Sequence, residues 1–129
     1  MQLVLDTHTL LWHLQDDPRL SKRLQAEFDS ANNSFFIPLI AMAELIFLFR
    51  RIPGSPAPIE LIGQIELKLY AEILPVTFET LLSLPEGLEM HDAMIVAATL
   101  RLEQLSGEAT LLATTDRQIV GSGLVKTIW

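Results

Sequence analysis

Four short runs dominated by apolar residues, separated by stretches of helical periodicity, govern what this chain can fold into. Gln2–Leu5 and residues 34–37, 72–76 and 109–113 read as strands. Strands that are apolar on both faces belong in a parallel sheet covered by helices on each side. Between them, Thr7–Leu14 and residues 18–31, 38–51, 59–70 and 92–105 carry helical patterns. Leu20, Leu24 and Phe28 share one helical face at i, i+4 and i+8. Thr77 is placed to cap a short helix, with Thr80 where a full capping box would want Glu. Ser106-Gly107 reads as a stop, a short helical turn follows Asp116, and residues 124–129 fit a fifth, edge strand. The alternation predicts an α/β fold with a parallel sheet of four to five strands flanked by helices on both faces. The Pro- and Gly-rich stretch 53–58 is too short to divide it, so residues 1–129 are expected to form one domain.

Composition narrows the function. Half of the 129 residues are apolar and 19% are charged, which excludes a disordered chain. The absence of cysteine excludes disulfide scaffolds, thiolate zinc sites and thiol nucleophiles, and it suits a reducing compartment. A net charge of −7 excludes a bulk electrostatic grip on nucleic acid. The most apolar stretch, 35–49, carries Glu44 in its middle and is shorter than the ~20 residues of a membrane span, so it reads as a core helix. No basic segment precedes the apolar start, as a signal peptide requires. A cytoplasmic protein without membrane attachment is expected.

Four acids stand out by position. Asp6 follows the first strand and Asp116 the fourth, so both leave the sheet at its carboxyl edge, where open α/β sheets bind ligands. Asp92 opens an apolar helix. Capping the helix behind it is a sufficient role for each of these three. Glu44 sits among Leu39, Ile40, Met42, Leu45, Ile46, Phe47, Leu48 and Phe49, with almost no wet face. A buried, unpaired carboxylate costs several kcal/mol or becomes neutral. A metal ion or an Arg would compensate it, unless Ala41 and Ala43 mark a thin side that reaches water. Carboxylates gathered without a cation repel one another. An all-oxygen cluster with no Cys and no His pair suits Mg²⁺ or Mn²⁺, ions that activate water and offset charge on phosphate oxygens.

Those residues carry a resemblance. Leu5-Asp6-Thr7-His8-Thr9-Leu10-Leu11-Trp12 resembles the opening of PIN-domain ribonucleases, especially the VapC toxins of type II toxin–antitoxin pairs. Glu44 in its apolar helix resembles that family's second acid, 91–98 its third-acid helix, and 111–116 its last strand and fourth acid. The four motifs are short singly, but they occur in order across the whole chain. The resemblance implies a strand order close to 3-2-1-4-5, a Mg²⁺- or Mn²⁺-dependent endoribonuclease, an RNA substrate, a homodimer and a cognate antitoxin. It makes Asp6, Glu44, Asp92 and Asp116 the catalytic metal ligands, and Thr114 a supporting hydroxyl that orients Asp116 or water. Many relatives carry another acid shortly after the fourth; here Arg117-Gln118 stands there, which leaves open whether one ion binds or two.

Other residues and readings fit less well. His8 and His13 are five apart, which does not put them on one helical face, and His91 suits a local hydrogen bond. Glu89 is an outlying candidate for the acidic cluster. Phe35, Phe36, Phe47 and Phe49 read as core, with part of that helix available to a dimer, and Trp12 fits either core or partner contact. Arg50, Arg51, Arg101 and Arg117 are candidate guides for an RNA strand. A haloacid-dehalogenase-type phosphatase wants D-x-D, where this chain has His8, and a receiver domain wants a phospho-acceptor Asp after strand three. A PIN-like module that binds a protein partner and cleaves nothing is the non-enzymatic alternative.

Overall fold

Parallel strand pairing between the two ends of the chain organises the molecule. The computed structural model describes residues 1–129. In chain order the elements are β1 (Gln2–Leu5), α1 (Thr7–Leu14), α2 (Lys22–Phe28), β2 (Ser34–Pro38), α3 (Leu39–Phe49), α4 (Pro58–Leu69), β3 (Glu72–Leu74), α5 (Phe78–Leu82), α6 (Met90–Ser106), β4 (Thr110–Ala113), α7 (Arg117–Ser122) and β5 (Thr127–Ile128). The sheet runs β3-β2-β1-β4-β5 and every pairing is parallel. β1 is therefore central, with Leu3 opposite Phe35 on one side and Leu111 on the other. Leu3, Val4 and Leu5 are fully buried, as a strand covered on both faces requires. With Leu45, Ile37 and Leu112, also fully buried, they anchor one continuous core, each contributing roughly 1.5–3 kcal/mol by leaving water.

The structure corrects several sequence expectations. The helix expected over 18–31 forms only from Lys22, where the Ser21 hydroxyl takes the Leu24 N–H at 3.1 Å. Ahead of it, Asp17 and Arg19 form an exposed ion pair at 2.8 Å, and Pro18 has no N–H for a helix to use. Pro38 does not open α3; it ends β2, in register with Leu74. α6 starts two residues before Asp92, so Asp92 lies in the first turn and is not the cap. Gly107 closes that helix in the left-handed conformation (φ 69°), as the Ser106-Gly107 stop implies. Thr77 and Thr80 complete a capping box on α5 with hydroxyl groups alone.

α3 is also wetter than its composition suggests. Ala41, Met42 and Leu45 face the core, whereas Ala43 is exposed and Phe47 is 65% exposed. Phe47 is thus not a core residue, and Phe49 is only half-buried; Phe35 and Phe36 are buried as expected. Trp12 is half-buried, meeting Trp129 edge-on at 5.4 Å with the Arg19 guanidinium 4.9 Å above its ring. No helix is long and apolar enough to cross a membrane.

Candidate metal centre

The carboxyl ends of β1 and β4 lie side by side because Leu5 pairs with Ala113. Asp6 leaves β1 at that edge and caps α1, its Oδ1 accepting the Thr9 N–H at 2.8 Å. Asp116 leaves beyond β4 and caps α7, its Oδ1 accepting the Gln118 and Ile119 N–H groups at 2.9 and 3.0 Å. The capping role that local sequence suggests for both acids is therefore real, and it engages one oxygen of each. The second oxygen of each carboxylate takes no hydrogen bond from the protein.

Two helices bring the remaining acids. α3 carries Glu44 and the first turn of α6 carries Asp92 into the same cleft of about 170 Å³ that Asp6 and Asp116 line. Thr7, His8 and Thr115 complete its polar wall, and Ile95 and Ile119 are its apolar floor. Sequence reasoning weighed neither Thr7 nor Thr115 as a wall residue. Only their adjacency to Asp6 and Asp116 could have signalled them. Thr114, by contrast, does not line the cleft. It is buried, and its hydroxyl accepts the Asp116 backbone N–H at 3.0 Å, fixing the turn from which Asp116 departs.

The electrostatics are those of crowded carboxylates. Burial pushes the Glu44 carboxyl above its ordinary range, and Asp92 adds to the rise against the opposing pull of His91 and His8. Burial likewise raises Asp92, reinforced by Asp116, Glu89 and Asp6. Glu89 thus contributes field from the edge without lining the cleft. His91 Nδ1 stands 3.9 Å from Glu44 Oε1, beyond hydrogen-bond reach. Glu44 Oε1 and Thr7 Oγ1 are both buried with no hydrogen-bond partner. Orphaned oxygens beside two free carboxylate oxygens form a hard, anionic donor set that matches Mg²⁺ or Mn²⁺ in kind. The side chains do not by themselves close to coordination distance around one point, as like charges disfavour.

None of the arginines considered as guides lines this cleft. Arg101 sits by α5 within the field of Glu79, and Arg50 lies over the Phe47 ring at 5.1 Å. Arg117 and Gln118 are exposed. His13 stacks on Phe28 at 3.8 Å, well apart from His8 on the cleft wall.

The sequence matches the family profile described as PIN domain over residues 3–120. The chain belongs to the PIN-domain family. A search of curated protein sequences finds no match. Among solved structures, this PIN domain is similar to VapBC2 from Rickettsia felis bound to a promoter DNA fragment, with a TM-score of 0.73 at 14% identity, covering 100% of this chain and 99% of that one. VapBC-1 from nontypeable Haemophilus influenzae matches with a TM-score of 0.67 at 18% identity, over 99% of this chain and 97% of that one. DNA-bound VapBC from Salmonella typhimurium does so with a TM-score of 0.67 at 16% identity, over the same shares. At these identities the likeness is one of fold, and the PIN strand order is the 3-2-1-4-5 expected from the resemblance.

Proposed function

We propose that this PIN-domain protein is an endoribonuclease that hydrolyses RNA phosphodiester bonds with Mg²⁺ or Mn²⁺, and that it is the VapC-type toxin of a toxin–antitoxin pair. One observation carries the reading: Asp6, Glu44, Asp92 and Asp116, drawn from four separate segments, line one small cleft at the carboxyl edge of the sheet. Family membership and a fold shared with VapBC proteins support it.

Those four acids would hold the ion, with the unpartnered Glu44 Oε1 and the free oxygens of Asp6 and Asp116 as the donors at hand. When bound, a divalent ion supplies Lewis acidity, easing the formation of hydroxide and offsetting charge on the phosphoryl oxygens. The chain's part is to orient and to carry protons. Thr114 fixes the Asp116 turn, and one of the cleft carboxylates would accept a proton from the attacking water. No protein nucleophile is needed.

The surroundings are consistent with the remaining roles. A chain of net charge −7 suits a basic antitoxin segment, and exposed Ile59, Leu67, Phe78 and Leu82 supply apolar surface for a homodimer. A chain without cysteine suits the cytoplasm. The test is cleavage of single-stranded RNA by the purified protein with Mn²⁺, alongside the Asp6→Asn variant and an EDTA control. Cleavage that needs the ion and falls at least a hundredfold in Asp6→Asn supports the reading. Cleavage indifferent to both, or tight RNA binding in chelator, overturns it.

A further inference from the structure

A second groove opens directly beside the carboxylate cleft. It measures about 430 Å³, and His8 and Glu44 form a wall of both. Its other sides are Ile40, Phe47, Leu48 and His91, with Ala43 between them. The surface is apolar and aromatic, yet it adjoins the most acidic part of the molecule. Phe47 is 65% exposed on a helix whose opposite side is fully buried, so packing within the chain does not account for it. The Arg50 guanidinium, outside the groove lining, lies 5.1 Å from the Phe47 ring.

We propose that this groove is the seat for one unpaired nucleobase next to the scissile phosphate, with Phe47 as the stacking platform. The inference rests on the ribonuclease reading of the neighbouring cleft. Continuity through His8 and Glu44 means that a strand reacting in the cleft has its next nucleotide over the groove. Charge complementarity points the same way. The scissile phosphate needs the ion held by the acids, whereas a neutral base suits the apolar and aromatic side chains beside them and the following phosphate suits Arg50. Stacking of unpaired bases on aromatic faces, with cations nearby for the backbone, is how single strands are held. Phe47 is thus a substrate-positioning residue, and it favours single-stranded over paired RNA because a base must unstack to reach it.

The test compares the wild type, Phe47→Ala, Phe47→Trp and, as a control, Leu105→Ala, an exposed apolar residue near the end of α6 that lines neither cleft. A random-sequence single-stranded RNA pool locates a cut site. Kinetics then follow on that oligonucleotide and on copies with one abasic nucleotide at each position flanking the cut. Loss of a base stacked on one aromatic ring is expected to raise KM roughly 5- to 150-fold in Phe47→Ala, and Phe47→Trp should restore it. One abasic position should weaken the wild type as much and Phe47→Ala no further. Equal KM for wild type and Phe47→Ala, or no abasic position that acts through Phe47, overturns the seat while leaving the ribonuclease reading standing. A wild type that neither cuts nor binds the pool overturns both. If Phe47→Ala instead changes the oligomeric state, or abolishes capture of a basic peptide with RNA kinetics unmoved, the groove is a protein interface and the proposal falls.

Discussion

The Thr9 hydroxyl donates to the Ala113 carbonyl at 2.8 Å, tying the start of α1 to the end of β4 across 104 positions of sequence. The same Thr9 offers its backbone N–H to Asp6, so one residue sets both where Asp6 caps and how far it stands from the Asp116 turn. Thr9→Val keeps the shape and removes the donor. Because Ala113 retains the Asp6 N–H at 3.3 Å, the loss should be near that of one ordinary buried hydrogen bond, about 1 kcal/mol. A melting temperature lower by about 3–5 °C is expected, measured by calorimetry or circular dichroism.

Glu44→Gln should stabilise the metal-free protein and abolish cleavage. Burial and Asp92 hold the Glu44 carboxyl above its usual value of 4.5, so the folded state binds its proton more tightly than the unfolded one. Stability linked to that proton is complete below pH 4.5 and is lost as pH rises through the folded value. The gain from Gln should therefore be absent in acid and amount to a few degrees at pH 7–8 in EDTA. Adding Mn²⁺ should raise the melting temperature of the wild type and not that of the variant. A variant that melts lower than the wild type in EDTA would contradict the crowded-acid account.

Thr114 acts on Asp116 from behind. Thr114→Val removes the acceptor for the Asp116 N–H and should lower RNA cleavage about tenfold, whereas Thr114→Ser, which keeps the oxygen, should restore most of it. If Val and Ser variants cut equally well, the hydroxyl has no positioning role.

His13 confers sensitivity to mild acid. Burial, with the nearby Lys68 charge, lowers its pKa from 6.5 to about 4, while Asp16 and Asp29 pull weakly the other way. The unfolded chain thus binds the proton first. Stability is complete above pH 6.5 and declines as pH falls toward 4. His13→Phe preserves the stacked contact with Phe28 and cannot titrate. Between pH 7 and pH 5 the wild type should lose on the order of 1 kcal/mol more than the variant, a figure reduced for the ring's partial exposure. Urea midpoints at the two pH values measure it.

Much of the architecture was legible because the strands are buried on both faces. A solid apolar run such as Gln2–Leu5 leaves few places for a strand other than the sheet centre. The sequence was least informative where one residue's backbone decides. Pro38 looks like a helix start yet completes β2, and Asp17–Arg19 holds a turn where periodicity promised helix. At the cleft, position along the chain identified four acids, but capping and ligand binding looked like rivals. The structure shows that capping occupies only one oxygen of Asp6 and of Asp116, so the two roles need not exclude each other. Thr7 was hidden because a buried hydroxyl without a partner leaves no mark in sequence, and Phe47 because apolar composition conceals which side of α3 faces water.

The central pairing of β1 with β4 has a further outcome for how such a molecule is made. The two strands that meet at the cleft are remote in sequence, Gln2 pairing with Thr110, so Asp6 and Asp116 come together only when that long-range parallel pairing forms. Local helix formation cannot by itself gather the four carboxylates, and the cleft is complete only once the sheet has closed around β1.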